Sequence, residues 1–416
     1  MESENTPKSI KQVRAEGVIT RRKMANLKLK SLLEITKAIN SNVSTQELFE
    51  IYEGILVNEL KIGKLALFIH ATDWICVLKQ GMDMDEDDIQ FDKNMLKFKE
   101  ITEINLMSST NSFDVVIPVF HHSKAIAYLL IGDIDEDKLE MSPTIKHLPF
   151  IQTLTNVILV AIENKNLTLE NIRQEGERKE MKMASDMQAM LFPSILPNDD
   201  KLEIAAYYQP HQQVGGDYYD FIRLDKNEVV FCMADVSGKG VSAALLMANF
   251  QANLRALFKH NSSLSEIILE LNDLVFNNAK GEKFITLFVA KYNTVTKVLS
   301  YINAGHNPPL LISKSNPMML TTGCIGLGML DEIPRIKEGI ITIPQGSILL
   351  CYTDGLVEQN NNLDEEFGYE KVAALLLKKA THTMKDVNEH LISSLNKFKQ
   401  NRPYIDDIAL LSCRFM

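Results

Sequence analysis

From Lys201 to the C-terminus, apolar runs of strand length recur without a helix after each one, and this rhythm constrains the fold more than any other feature. The runs lie at Leu202–Tyr208, Val229–Val236, Phe284–Tyr292, Val298–Ala304, Pro309–Ile312, Ile348–Tyr352 and Ile408–Cys413. Helical periodicity interrupts them only at Val241–Phe258, Leu264–Asn278, Tyr369–Lys379 and Met384–Phe398. A parallel sheet needs a long crossover between neighbouring strands, which this spacing does not supply. The pattern therefore predicts a mostly antiparallel arrangement with helices packed on sheets.

Several runs end in carboxylates. Val229–Ala234 delivers Asp235 into Ser237-Gly238-Lys239-Gly240, and Ile348–Tyr352 delivers Asp354 into Thr353-Asp354-Gly355. Asp217 follows two glycines, and Asp406-Asp407 precedes the last run. Alone, Asp235 or Asp354 could cap a turn by accepting its backbone N–H groups. Together, acidic points at strand ends could converge on hard divalent cations, which take oxygen ligands and keep several waters. No His/Cys cluster suggests zinc.

The length of 416 residues exceeds one ordinary core and predicts two domains. A net charge of −10 argues against general affinity for nucleic acid or anionic lipid. The five cysteines are scattered and read as reduced thiols. The first 22 residues are polar and no window approaches a membrane-spanning length, so a cytoplasmic protein without a membrane span is expected.

Residues 1–23 read as a tail or the start of a helix. Helical spacing follows from Met24 to Ile39, and Ser44-Thr45-Gln46-Glu47 reads as a capping box. Strand signals at Leu65–Ile69 and Trp74–Leu78 precede an acidic loop at Asp83–Asp88. A hairpin then joins Asp114–Phe120 to Ala125–Gly132 through a turn at His121-His122, two histidines read as exposed turn residues. Pro118 suits an edge, since it donates no ladder hydrogen bond. A helix from about Ile145 to Ile162 closes the unit. This order, carried chiefly by the hairpin, resembles a GAF sensory domain over residues 24–162, with an unknown ligand.

Residues 163–197 read as a charged helical linker ended by Phe192-Pro193-Ser194-Ile195-Leu196-Pro197. Ile162, Leu169, Gly176, Met183 and Met190 recur every seven residues, while the second seam is mostly polar. Two readings stand: a solvated helix, or a short coiled coil that pairs two copies of the chain. Gly176 weakens a long helix and is a candidate hinge.

Val214-Gly215-Gly216-Asp217-Tyr218-Tyr219-Asp220, Ala234-Asp235-Val236-Ser237-Gly238-Lys239-Gly240, Asn303-Ala304-Gly305-His306-Asn307-Pro308-Pro309, Tyr352-Thr353-Asp354-Gly355 and Asp406-Asp407-Ile408-Ala409-Leu410 occur in the order of SpoIIE-type phosphatases. These are the bacterial branch of the PPM, or type 2C, metal-dependent serine/threonine protein phosphatases. The resemblance covers about residues 185–416, and Asp186–Pro193 also looks like the helix preceding the family's catalytic domain. It implies an α+β chain: an N-terminal GAF-like sensor, a helical linker, and a C-terminal α-β-β-α sandwich over 198–416.

The resemblance further implies two ions, Mn²⁺ or Mg²⁺. Asp235 would bridge them, the Val236 carbonyl would add a ligand, Asp217 would bind one ion, and Asp354 and Asp406 would hold the other. Asp407 would stand behind these ligands, and Asp220 is a weaker candidate. Hydrolysis would be direct, without a phosphoenzyme. Where eukaryotic relatives have a histidine acid two residues after the bridging aspartate, this chain has Ser237. His306 is a substitute only if it is not serving its Gly/Asn/Pro turn, the reading favoured here. The eukaryotic phosphate-binding arginine has no match, and Lys239 either touches phosphate or is solvated.

The implied partner is a phosphoserine or phosphothreonine protein, an anti-sigma-factor antagonist in partner switching, with the chain itself a homodimer through its linker. Two other classes stand beside this reading: a catalytically silent PPM-like scaffold, and a small-molecule phosphohydrolase.

Overall fold

The structure is a computed structural model that describes residues 10–416 apart from 72, 82–90, 92, 105–112, 122–123, 133–146, 260–262, 314–315 and 379. The acidic loop at Asp83–Asp88 and His122 lie outside the described residues. The chain divides into two compact units, Met1–Gln174 and Glu175–Met416. Their boundary falls inside the stretch read as a linker.

In the first unit, helix α1 (Ile10–Asn40) runs through much of the stretch read as a tail or helix start. Helix α2 (Thr45–Gly54) starts at the expected capping box: the Ser44 hydroxyl accepts from Glu47 N, and the Glu47 carboxylate accepts from Ser44 N. Strands β1 (Lys64–His70), β2 (Trp74–Gln80), β3 (Thr102–Glu103), β4 (Val115–His121) and β5 (Lys124–Gly132) form an antiparallel sheet in the order β2-β1-β5-β4-β3. Pro118 is paired with Tyr128 of β5 on one side, while β3 reaches only Val115 and Val116 on the other. Its missing N–H therefore faces no described strand. His121 is the last residue of β4 rather than an exposed turn residue, and its Nδ1 lies 3.1 Å from the Glu163 carboxylate.

One sheet face packs on the helices through Leu65, Leu67, Ile117, Leu129, Tyr52 and Ile151. The other carries an aromatic cluster of Phe68, Phe91, Phe98, Trp74 and Tyr128. The closing helix α3 is far longer than the 145–162 pattern: it is continuous from Leu148 to Ala189, through Gly176, which has no neighbour within 4 Å of its missing Cβ. The helix is unbroken at Gly176.

The second unit has β6 (Leu202–Gln209), β7 (Tyr218–Arg223), β8 (Glu228–Val236), α4 (Val241–Phe258), α5 (Leu264–Ala279), β9 (Ile285–Asn293), β10 (Val298–Ala304), β11 (Leu310–Ser313) and β12 (Asn316–Met319). It continues through β13 (Gly323–Cys324), β14 (Gly339–Thr342), β15 (Ile348–Tyr352), α6 (Asp354–Val357), α7 (Tyr369–Lys378), α8 (Met384–Lys399) and β16 (Ile408–Phe415). One sheet has the order β13-β10-β9-β8-β7 with β14 also on β10; the other has β12-β11-β15-β16-β6. Among the described residues, every ladder between named strands is antiparallel except the short parallel β10–β13 pairing, as the strand rhythm predicts.

Three cores make the layers. The inner sheet faces meet through Phe231, Met233, Phe288, Tyr292, Leu349, Leu411 and Phe415. Helices α4 and α5 cover the first sheet, where Met247, Phe250, Leu254 and Leu271 are buried against Val230, Cys232 and Leu287. Helices α7 and α8 cover the second through Leu376, Val387 and Leu391. Each large side chain so buried contributes roughly 1.5–3 kcal/mol of hydrophobic stabilisation. All five cysteines are free thiols, and Cys232, Cys351 and Cys413 lie in these cores. No helix among the described residues is long and apolar enough to cross a membrane.

Candidate metal centre

Strand register carries the acidic residues to one end of the sandwich. In the first sheet Tyr218 pairs with Ala234, so Asp217, just before β7, is beside Asp235 near the end of β8. In the second sheet Tyr352 pairs with Leu410, so Asp354, just after β15, is beside Asp406 and Asp407, just before β16.

Two hydrogen bonds from backbone N–H groups to one side chain hold the loop between β6 and β7 at this end, and the second of them links the two sheets. The Asp407 carboxylate accepts from His211 N at 2.7 Å and from Gly216 N at 2.7 Å. Glycine is required at 216 because a Cβ there would stand 2.9 Å from the Val236 carbonyl oxygen. The turn after Asp235 is bent by Gly238 (φ 90°) and Gly240 (φ 73°), a region that disfavours side chains. Ser237 fixes the same turn: its hydroxyl accepts from Phe284 N at 2.9 Å, and its own N–H donates to Phe284 O at 2.9 Å.

The electrostatics follow from burial and like charge. Asp217 is 2% exposed, and its Oδ2 has no hydrogen-bond partner. Burial, then the charges of Asp235 and Asp407, pushes its carboxyl well above the usual range, against a smaller pull from the Thr353 hydroxyl. Burial and the neighbouring Asp354, Asp406 and Asp407 raise Asp235 to about 7. Burial and Asp406 raise Asp354 to about 6. Lys239 is not merely solvated: its Nζ lies 2.8 Å from Asp406 Oδ2 and donates to the Ile405 carbonyl at 2.7 Å.

The residues suit a hard cation. The donors are all oxygens, one buried carboxylate oxygen is unpartnered, and the Gly216 backbone leaves space around the Val236 carbonyl. Among the described residues, no group of three or more His, Cys, Asp or Glu side chains is placed to hold a metal ion by side chains alone. Ions of this kind complete their shells with carbonyls and water rather than with carboxylates alone.

Residues 225–416 match the family described as "Stage II sporulation protein E (SpoIIE)". The chain carries a SpoIIE-type protein phosphatase domain. It is similar to the phosphoserine phosphatase RsbU of Bacillus subtilis (strain 168), 28% identical over 251 residues, which are 59% of this chain and 73% of RsbU. Protein IcfG of Synechocystis sp. is 23% identical over 329 residues, 71% of this chain and 51% of IcfG. The SiaA-PP2C domain of Pseudomonas aeruginosa shares the fold, with a TM-score of 0.53 at 19% identity over 59% of this chain and 99% of that one.

Two sequence candidates have other roles. Asp220 is fully buried but faces α4, where Arg255 grips both oxygens at 2.7 and 2.8 Å and the Tyr218 hydroxyl also donates to it. It is a satisfied structural pair and has no place among the converging carboxylates. His306 is buried and held in its turn: its N–H donates to Asn303 Oδ1 at 2.8 Å, and its Nδ1 is 2.8 Å from the Thr286 hydroxyl. Burial lowers it to about 4, against a weaker pull from the Tyr352 backbone, so at pH 7 it is neutral rather than the imidazolium a general acid needs. Its Nε2 forms no hydrogen bond of regular geometry.

Sequence reasoning missed Arg255, Thr353 and Gln188. Arg255 has no motif around it, since an arginine on an amphipathic helix reads as surface. Thr353 sits inside a motif that was read for its aspartate alone, yet its hydroxyl accepts from Ala409 N at 2.9 Å.

Proposed function

We propose that the chain is a cytoplasmic, Mn²⁺- or Mg²⁺-dependent serine/threonine phosphoprotein phosphatase acting on an anti-sigma-factor antagonist in partner switching, under the control of a GAF-like N-terminal sensor. The observation that carries this reading is the buried Asp217 oxygen without a partner, amid Asp235, Asp354, Asp406 and Asp407. An uncompensated buried carboxylate costs several kcal/mol, and a cation removes that cost. The similarity to RsbU supports phosphoserine as the substrate class.

Asp235 and the Val236 carbonyl, with Asp217, Asp354 and Asp406, would hold two ions. Bound there, the ions supply charge screening for the phosphate and a lowered pKa for water. The chain's own contribution is orientation. Asp407 holds the loop 211–216 by two N–H groups, Ser237 holds the turn after Asp235, and Lys239 sets Asp406 while leaving a cationic group at the rim. Neither Ser237 nor neutral His306 is placed as the acid that protonates a leaving alkoxide, so solvent in the site takes that role.

Pairing of two chains through α3 is part of the proposal. Leu169, Ile172, Met183, Met187 and Met190 are exposed along it, which a partner helix would cover.

The test is phosphate release by the full-length chain from a phosphoserine antagonist protein, with Mn²⁺ and with chelator. Release that needs the cation is expected. Equal release in both, or a preference for nucleotides or sugar phosphates, overturns the reading.

A further inference from the structure

The end of α3 meets the acidic site through one side chain. Gln188 is buried, and both ends of its amide bind a single residue: Nε2 donates to the Gly215 carbonyl at 2.7 Å, and Oε1 accepts from Gly215 N at 3.1 Å. The amide thus pairs with the loop as a neighbouring strand would, satisfying a buried donor and a buried acceptor at once.

Gly215 has no other means of anchorage. A side chain there would collide with the Asp407 carboxylate and the Tyr208 hydroxyl. The next residue, Gly216, gives its N–H to Asp407, and the one after is Asp217. Residues 215–217 are therefore pinned from outside, by Gln188 on one side and Asp407 on the other. Four residues beyond Gln188, the Phe192 ring packs on Tyr208 at 4.6 Å and on Tyr219 at 4.9 Å, so the same chain segment also braces the strands flanking the loop.

We infer that Gln188 is a positioning residue that sets the backbone of 215–217 and thereby the divalent-cation affinity of the site. This rests on the metal-dependent reading above. Groups that orient ligands from behind change metal affinity by roughly 10–100-fold when removed. A staple for the helix end alone would change stability and leave cation affinity untouched.

Gln188→Met keeps the length and bulk and removes both hydrogen bonds. In the cation-free full-length chain, hydrogen exchange at 214–217 is expected to quicken while the β8 and β15 amides stay protected. Mn²⁺ titrated calorimetrically should bind at least about tenfold more weakly. Lys182→Ala, at an exposed position of the same helix, should bind as wild type. Gln188→Glu keeps the acceptor and loses the donor, so it should shift both readouts the same way and serves if the methionine variant does not fold. Unchanged exchange at 214–217, or cation affinity within about twofold of wild type in the folded variants, overturns the positioning role. A wild-type chain that binds no Mn²⁺ overturns it too, together with the metal reading, and the exchange data separate the two failures.

Discussion

Asp217 and Asp220 stand three residues apart at the start of β7, both buried, and the chain treats them in opposite ways. Asp220 is saturated by Arg255, Tyr218 and the Phe221 N–H. Asp217 faces other carboxylates and keeps one oxygen unpartnered. The alternation of the strand sends one toward α4 and the other toward the junction of the two sheets. A buried charge that is fully paired holds structure; one left unpaid by protein groups marks where something else binds.

The largest effect that would break this comparison is on turnover. Asp235→Asn should lower phosphatase activity on the order of a thousandfold or more while the chain stays folded, because it removes the proposed bridging carboxylate. Persistence of activity, with an unchanged circular dichroism spectrum, would separate the carboxylates from the chemistry.

Next comes stability. Arg255→Met strands Asp220 and should cost about 2–4 kcal/mol in denaturant unfolding, the lower end of the range because the guanidinium is partly solvated. Mn²⁺ affinity should not follow it.

The third effect is smaller and has a defined sign. Asp235 and Asp354 have folded-state values raised to about 7 and about 6, above those of an unfolded chain. Their protonated forms favour the fold below about pH 4, and that contribution is lost as pH rises through 6 and 7. The chelated chain should therefore melt several degrees higher at pH 5 than at pH 8, and Mn²⁺ should restore the difference at pH 8. An acid-destabilised apo chain with no cation response would contradict the crowding of carboxylates.

Much of this was legible in residues. The absence of a helix between most strands predicted antiparallel pairing, and strand-end aspartates predicted one acidic end, since register places strand ends together. What stayed hidden depends on partners distant in sequence. Asp220 lies in the same motif as Asp217, and only the position of Arg255, 35 residues on, decides its role. Gln188 reads as one more polar residue of a charged helix until Gly215 is seen beside it. The short strands β12 and β14 were not among the expected strands, being only four residues each, and β14 pairs on the edge of β10. The closing helix at 145–162 and the helical linker at 163–197 read as two elements because the apolar stripe ends at Ile162, whereas one helix, α3, runs through both on charged residues of good helix propensity.

The comparison is tested most directly by titrating Mn²⁺ into the chelated full-length chain and into Asp217→Asn and Asp220→Asn. The account predicts that wild type and Asp220→Asn bind the cation alike, the latter on a less stable fold, while Asp217→Asn loses affinity or a site. Equal binding by Asp217→Asn, or loss confined to Asp220→Asn, would contradict it.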